Sequence, residues 1–234
     1  MISFVIPAHN EQPLIEQTIT AIRDSANQLA LPHEIIVVND ASTDDTAKVA
    51  EASGARVINV AHRQIAATRN AGARIASGRI LFFIDADTVI NAEAVQAALE
   101  VLRGRAVGGG CIFTLDGVLP TWARFMYPIA VFLSRRLNLV GGCCLFCQRE
   151  AFDAIGGFNE NYYAAEEAAF IQSLKQIGRF EIPEPTVVTS GRKLRAFSSW
   201  KILSIAYRWL IRGPKTFQQR EGLDIWYGPR SYEP

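Results

Sequence analysis

Apolar positions cluster along this chain in short blocks separated by longer stretches of mixed polarity. Residues 2–6, 34–38, 56–60 and 80–84 are runs of about five residues rich in Val, Ile and Phe, bounded by polar or turn-forming residues. Such runs read as buried strands. Between them, residues 11–29, 42–53, 65–76 and 91–102 carry apolar residues at helical spacing. Ser42-Thr43-Asp44-Asp45 and Asn91 offer capping side chains at two helix starts, and Gly54 and Gly78 stand where two helices stop. Strand followed by helix, four times with short links, predicts an α/β fold with a doubly wound, mostly parallel sheet.

The second half is less regular. Residues 106–113 predict a strand and 121–137 an apolar helix with Pro128 near its middle. Residues 145–148 predict a short strand and 166–177 a helix ended by Gly178. Residues 179–182 and 186–188 predict two further strands. Residues 198–212 predict a last helix on which Lys201, Ser204, Arg208 and Arg212 share one stripe and apolar side chains cover the rest. That pattern suits an interfacial helix as well as one packed on a core or on a second copy. The division expected is a domain over 1–190, with a ligand-binding half at 1–103 and a more irregular half at 104–190, followed by a basic, amphipathic segment at 191–234.

In doubly wound sheets, ligands bind beyond the carboxyl ends of the strands. Three strand ends here carry suitable groups: His9-Asn10-Glu11, Asn39-Asp40 and Asp85-Ala86-Asp87. Asp85 and Asp87, two residues apart at a strand exit, have the hard oxygens that a divalent cation takes while substrate phosphates complete its shell. Such a cation would neutralise a diphosphate leaving group.

Composition narrows the classes. With 234 residues, 49% hydrophobic and 20% charged, the chain reads as globular. Its net charge of +1 gives no reason to expect a nucleic-acid partner. Met1-Ile-Ser-Phe-Val-Ile-Pro7 has no basic leader and reads as a first strand rather than a signal peptide. No run approaches the ~18 apolar residues of a spanning helix. The expected compartment is the cytoplasm, extending to the inner membrane face if the last helix meets lipid. Cys144 and Cys147 have C-x-x-C spacing, but Cys111 and Cys143 bring no histidine with them, so all four thiols are expected to be buried and structural.

The run Arg69-Asn70-Ala71-Gly72 through Gly78 to Asp85-Ala86-Asp87 resembles the core of family 2 glycosyltransferases. Residues 5–11 resemble the family's opening Pro-x-Tyr-Asn-Glu, with His9 in place of tyrosine. Residues 36–46 are similar to its Asp-Asp-Gly-Ser-x-Asp segment, with Asn39 as the first of the two acids. Gly156-Gly157-Phe158-Asn159-Glu160 and Glu166-Glu167 resemble its Gly-Gly-Phe-Asp-Glu and Glu-Asp pair.

This resemblance covers about residues 2–190 and implies a GT-A fold, a nucleotide diphosphate sugar donor linked to UDP, Mg²⁺ or Mn²⁺, and a hydroxyl acceptor that is lipid-linked if the membrane reading holds. It implies one-step transfer with inversion. Asp40 would bond the nucleobase, while Pro7, Ala8 and Glu11 line the nucleoside pocket. Asp87 would ligate the metal, with Asp85 near the ribose or the sugar as well as beside the metal, and Ala86 between them would line the nucleotide-sugar site. Arg69 and Gly157 would approach the donor. Arg192, or its neighbours Lys193 and Arg195, would contact the diphosphate. Glu167 would be the general base, with Glu166 as the alternative. Two rivals remain: a non-catalytic module that keeps the donor pocket, and a sugar-1-phosphate nucleotidyltransferase, which the absence of a glycine-rich loop after the first strand argues against.

Overall fold

In a computed structural model of the chain, the described residues are 1–192 together with 195, 207, 217–219 and 223. The last expected helix, at 198–212, lies outside them apart from residue 207, and so does Lys193.

The first half follows the expected order: β1 (Ile2–Ala8), α1 (Ile15–Gln28), β2 (His33–Asp40), α2 (Thr46–Ala52), β3 (Arg56–Val60), α3 (Ile65–Ile75), β4 (Ile80–Ile84), the two-residue β5 (Thr88–Val89) and α4 (Ala92–Arg103). Then come β6 (Ala106–Gly110), β7 (Ile112–Leu115), α5 (Thr121–Leu137), β8 (Cys144–Gln148), α6 (Arg149–Ala154), α7 (Glu166–Ile177), β9 (Arg179–Glu181) and β10 (Thr186–Thr189).

A seven-stranded sheet has the order β3-β2-β1-β4-β8-β6-β9. β1 pairs in parallel with both β2 and β4, and β2 with β3. β8 is antiparallel to both β4 and β6, and β6 and β9 run parallel. The chain steps from β1 to β2 on one side and later returns to place β4 on the other. The carboxyl ends of β2, β1 and β4 therefore lie side by side at a topological switch point. A second, three-stranded sheet, β5-β10-β7, stands beyond β4.

Side chains alternate across the large sheet. Phe4, Ile6, Phe82 and Ile84 pack with Ile15, Ile19 and Ile22 of α1 on one face. Val5, Leu81 and Phe83 pack with Phe158 and Phe170 on the other. Each fully buried Phe or Ile contributes roughly 1.5–3 kcal/mol by leaving water, so this sandwich fixes the register of the strands that carry the site.

Several boundaries differ from the sequence-based expectation. Helix α1 begins at Ile15, not at Glu11, because the Glu11 carbonyl accepts from the amides of both Leu14 and Ile15 in a turn. Ser42 and Thr43 do not cap α2; Asp44 Oδ1 takes the Thr46 amide at 3.0 Å instead. Asn91 does cap α4, accepting from the Ala94 amide at 2.8 Å. The run at 106–113 is two strands, broken at Cys111 so that β6 and β7 enter different sheets. All four cysteines are buried and free, and no group of three metal-ligating side chains occurs among the described residues.

Candidate active site

Four loops meet at the carboxyl edge of β1, β2 and β4, and four non-glycine residues around them take left-handed backbone: Asn10, Ala41, Arg63 and Ala165, with φ from 51° to 58°. Such conformations cost about 1–3 kcal/mol each and persist only where surrounding contacts hold them. Those contacts are visible. Asn10 Oδ1 accepts from the Thr43 amide at 2.7 Å, the Asn10 amide donates to Ser42 Oγ at 3.0 Å, and the Glu11 amide to Thr46 Oγ1 at 2.8 Å. The loop after β1 is thereby stitched to the loop after β2.

Asp40, at the end of β2, is buried. Its Oδ1 accepts from the Arg63 amide at 2.8 Å, and its Oδ2 from the Gln64 amide at 3.1 Å and Thr68 Oγ1 at 2.8 Å. It holds the first turn of α3. A carboxylate offers about four acceptor positions; three are used, which leaves one for a ligand N–H. The Asp40 carbonyl lies 2.7 Å from His9 Nδ1, and the Arg63 guanidinium lies against the same ring. Pro7 and Ala8 sit beside this group at the end of β1, Ala8 buried.

Arg69 on α3 is the centre of the second group, only 1% exposed. Its Nη1 donates to Glu166 Oε1 at 2.8 Å, and its Nη2 donates to Asp85 Oδ1 at 2.9 Å and to the Gly142 carbonyl at 2.8 Å. The guanidinium carbon stands 5.1 Å over the Phe158 ring. Burial opposes the charge of Arg69, but Asp85, Glu166 and Glu167 outweigh it and hold its pKa above the ordinary value. One guanidinium faces three carboxylates. Burial, and then the Glu167 charge, push Glu166 up to about 8 against the pull of Arg69. Burial likewise raises Glu167, which is half-buried and begins the next position of α7. These groups titrate as a set.

The shift has a sign for stability. The folded protein keeps a proton on Glu166 that the unfolded chain releases above its ordinary value of 4.5. Between that value and about 8 the native state binds more protons, so stability falls as pH rises through this window. Glu166→Gln retains a bond to Arg69 but cannot ionise. Its urea midpoint, followed from about pH 5 to 9, is expected to decline less steeply than that of the parent protein.

Asp87 forms the third group. Thr189 Oγ1 donates to its Oδ1 at 3.3 Å, and Arg192 Nη2 reaches its Oδ2 at 3.0 Å and Glu11 Oε1 at 2.6 Å. β10 brings Thr189 and Arg192 there by pairing with β5 immediately after Asp87. Arg195 turns to Asp116 instead, at 3.3 Å. Ala86 is buried and its carbonyl accepts from Thr18 Oγ1 at 2.9 Å, so it serves as the spacer that turns Asp85 and Asp87 outward from the core.

As a cation site, the pair supplies two hard carboxylates. Asp85 has one oxygen on Arg69 and a side chain 25% exposed. Asp87 is held by Arg192, which a cation would have to displace or share. Two protein carboxylates fit a Mg²⁺- or Mn²⁺-like ion that draws its remaining ligands from phosphates and water.

Gly157, with φ +79°, packs on α3, and Asn70 clamps the loop: its Oδ1 accepts from the Phe158 amide at 2.9 Å and its Nδ2 donates to the Phe158 carbonyl at 2.8 Å. A Cβ at Gly157 would stand 2.7 Å from Asn70 Oδ1 and 2.9 Å from the Phe152 ring. Gly157→Ala is expected to destabilise by roughly 1–3 kcal/mol in urea unfolding.

Beside Asp85 and Asp87 opens a cavity of about 500 Å³ lined by Phe113, Trp122, Met126, Tyr127, Gly142 and Thr189 among others. Sequence reasoning passed over Gly141-Gly142 and Arg63. A paired glycine before an apolar strand was the available signal for the first of these.

Comparison with known proteins bears on the family and the fold. The Glycosyl transferase family 2 profile matches residues 3–156. Validoxylamine A glucosyltransferase of Streptomyces hygroscopicus subsp. limoneus is 32% identical over 127 residues, covering 50% of this chain and 27% of that protein. A mannosyltransferase from Pyrobaculum calidifontis in complex with GDP-Man and Mn²⁺ superposes with a TM-score of 0.69 at 20% identity, over 90% of this chain and 64% of that one. Glucosyl-3-phosphoglycerate synthase from Mycobacterium tuberculosis, in complex with Mn²⁺, UDP-glucose and phosphoglyceric acid, gives 0.59 at 20% identity, over 93% and 79%. The chain spans about a quarter of the curated glucosyltransferase it matches.

Proposed function

The chain belongs to glycosyl transferase family 2 and has the GT-A fold, and from that premise we propose that it transfers a sugar from a nucleotide diphosphate donor, UDP-linked, to a hydroxyl acceptor with inversion. The observation that carries the reading is the convergence, at one switch point, of a base-binding candidate, a carboxylate pair and a buried arginine beside an open cavity. Asp40 accepts the nucleobase N–H through its remaining lone pair. Asp87 and Asp85 hold Mg²⁺ or Mn²⁺, which when bound offsets the charge growing on the leaving diphosphate.

Arg192 shifts from Asp87 toward that diphosphate, where a cation stabilises the departing charge. Arg69 holds Asp85 in place through the bond from its Nη2. Glu167 takes the proton from the acceptor hydroxyl as that oxygen attacks the anomeric carbon. Glu166, committed to Arg69 and inclined to hold a proton, is poorly suited to that task. The complexes of the Pyrobaculum and Mycobacterium proteins with Mn²⁺ and nucleotide sugars support this reading by analogy of fold.

Thermal unfolding with UDP, GDP, CDP or ADP, each with and without Mn²⁺, tests the donor site. UDP with Mn²⁺ is expected to raise Tm as binding to the native state does, and Asp87→Ala to abolish the rise. Stabilisation by GDP alone would move the assignment to a guanine nucleotide. No response to any nucleotide would remove the donor-site reading of Asp40, Asp85 and Asp87.

A further inference from the structure

Helix α5 turns a broad face outward, with Trp122, Tyr127, Val131 and Ser134 half-buried on the other side. Of its 17 residues only Ala123 is fully buried. Phe125 is 74% exposed, Phe132 65% and Leu137 61%, with Met126, Ile129 and Leu133 about half exposed. Positions 125, 129, 132 and 133 fall on one stripe at spacings of three and four. A contiguous apolar surface of this kind is uncommon on a protein that faces only water, and it marks an interaction site.

Two further observations say what meets it. The segment from Thr121 to Leu137 carries Arg124, Arg135 and Arg136 and no acid. Met126, Ile129 and Leu133 also line the cavity that ends at Asp85 and Asp87, so the exposed stripe and the cavity are one continuous apolar surface. A protein lid across the stripe would seal the cavity. A fluid apolar phase would extend into it. The cavity, at about 500 Å³, is within the range of small-molecule sites.

We propose that α5 lies on an anionic lipid surface and that the cavity beneath it receives the apolar tail of an acceptor borne by that surface, its hydroxyl delivered to the edge where Asp87 and Gly142 stand. The acceptor role rests on the glycosyltransferase reading; the lipid contact and the tail site do not. Gly142 connects the two regions. It lines the cavity, its carbonyl accepts from Arg69, and a Cβ there would come 3.3 Å from Glu167 Cβ. A hydroxyl entering along the cavity therefore arrives beside Glu167. Gaps in the acceptor's structure are filled by its class alone: an alcohol with an apolar tail.

The test uses the whole chain and three readouts. It is expected to co-sediment with vesicles of phosphatidylcholine and phosphatidylglycerol, more weakly with phosphatidylcholine alone, and less as salt rises. Phe125→Asp/Phe132→Asp, both at exposed positions, is expected to lower vesicle binding at least tenfold with Tm unchanged. Simple n-alkanols from hexanol to decanol are expected to quench tryptophan fluorescence, through Trp122, about fourfold more tightly per added methylene. Ala130→Trp, at an exposed position on the cavity rim, is expected to abolish that dependence.

Vesicle binding that ignores lipid charge and survives the double substitution would overturn the proposal. So would a dimer that the double substitution breaks, or alkanol affinity flat in chain length. The nucleotide melts, run on the same preparations, separate the two readings. Nucleotide stabilisation without lipid or alkanol binding overturns this inference and leaves sugar transfer standing. Lipid and alkanol binding without any nucleotide response keeps the lipid site and removes its acceptor role together with the transfer reading.

Discussion

Arg69→Met is expected to lower folding stability by about 3–5 kcal/mol near neutral pH, the loss typical of breaking a buried ion pair from one side. The residue is 1% exposed and bridges Asp85 at 2.9 Å and Glu166 at 2.8 Å. Methionine fills much of the same volume against Phe158 but leaves both carboxylates without their cation. The cost is therefore electrostatic more than steric, and it should grow as pH rises through about 8, where Glu166 loses its proton and needs a cationic partner. A double variant, Arg69→Met/Glu166→Gln, is expected to recover part of the loss above about pH 8, because it removes the charge that Glu166 would carry there. Urea midpoints for the parent, both single variants and the double variant give the coupling directly. Purely additive losses in that cycle would show that Arg69 acts by packing alone.

Much of the frame was legible in the chain because the relevant physics is local. Residues 2–6, 34–38 and 80–84 are apolar on both faces, as buried parallel strands require. Asn91 advertised a helix start that it does cap. The expected gathering of three strand ends followed from topology, and β2, β1 and β4 are indeed adjacent. What escaped depends on distant partners. The run at 106–113 is apolar throughout and contains three consecutive glycines, so nothing local marks Cys111 as the point where the chain changes sheets. β5 has two residues, too few for any periodicity, and exists because β10, about a hundred residues later, pairs with it.

The resemblance named Glu167 as the base with Glu166 as the alternative, but the bond between Glu166 and Arg69 was invisible for the same reason. Helical geometry says that only one of two successive residues can face the cleft well. Glu166 is the one engaged by Arg69, 97 residues away. The first turn of α2 misled because Ser42 and Thr43 are ordinary caps. In the folded chain Ser42 and Thr43 are instead bonded to Asn10, in a loop-to-loop contact that a left-handed Asn10 makes possible.

Glu167→Gln is expected to lower kcat by about 10²–10⁴, the range that a positioned general base supplies. Nucleotide affinity should be unchanged, since Glu167 touches none of Asp40, Asp87 or Arg192 through any bond described above. Stability should be equal or slightly higher, because the substitution removes one of three carboxylates that crowd a single guanidinium. That combination is what separates a base from a structural acid: a structural acid lowers Tm when neutralised and leaves the chemical step intact. Glu166→Gln supplies the contrast. It should change the pH dependence of stability while leaving most of kcat, because Glu166 is occupied by Arg69 and holds its proton up to about 8. Glu167→Asp, which keeps the carboxylate but withdraws it by one methylene, should retain more activity than the glutamine variant. If instead Glu166→Gln abolishes transfer and Glu167→Gln does not, the base is the arginine-paired residue. Arg69 would then have to release Glu166 in the donor complex, which makes the rate sensitive to whatever loosens the Arg69–Asp85 bond.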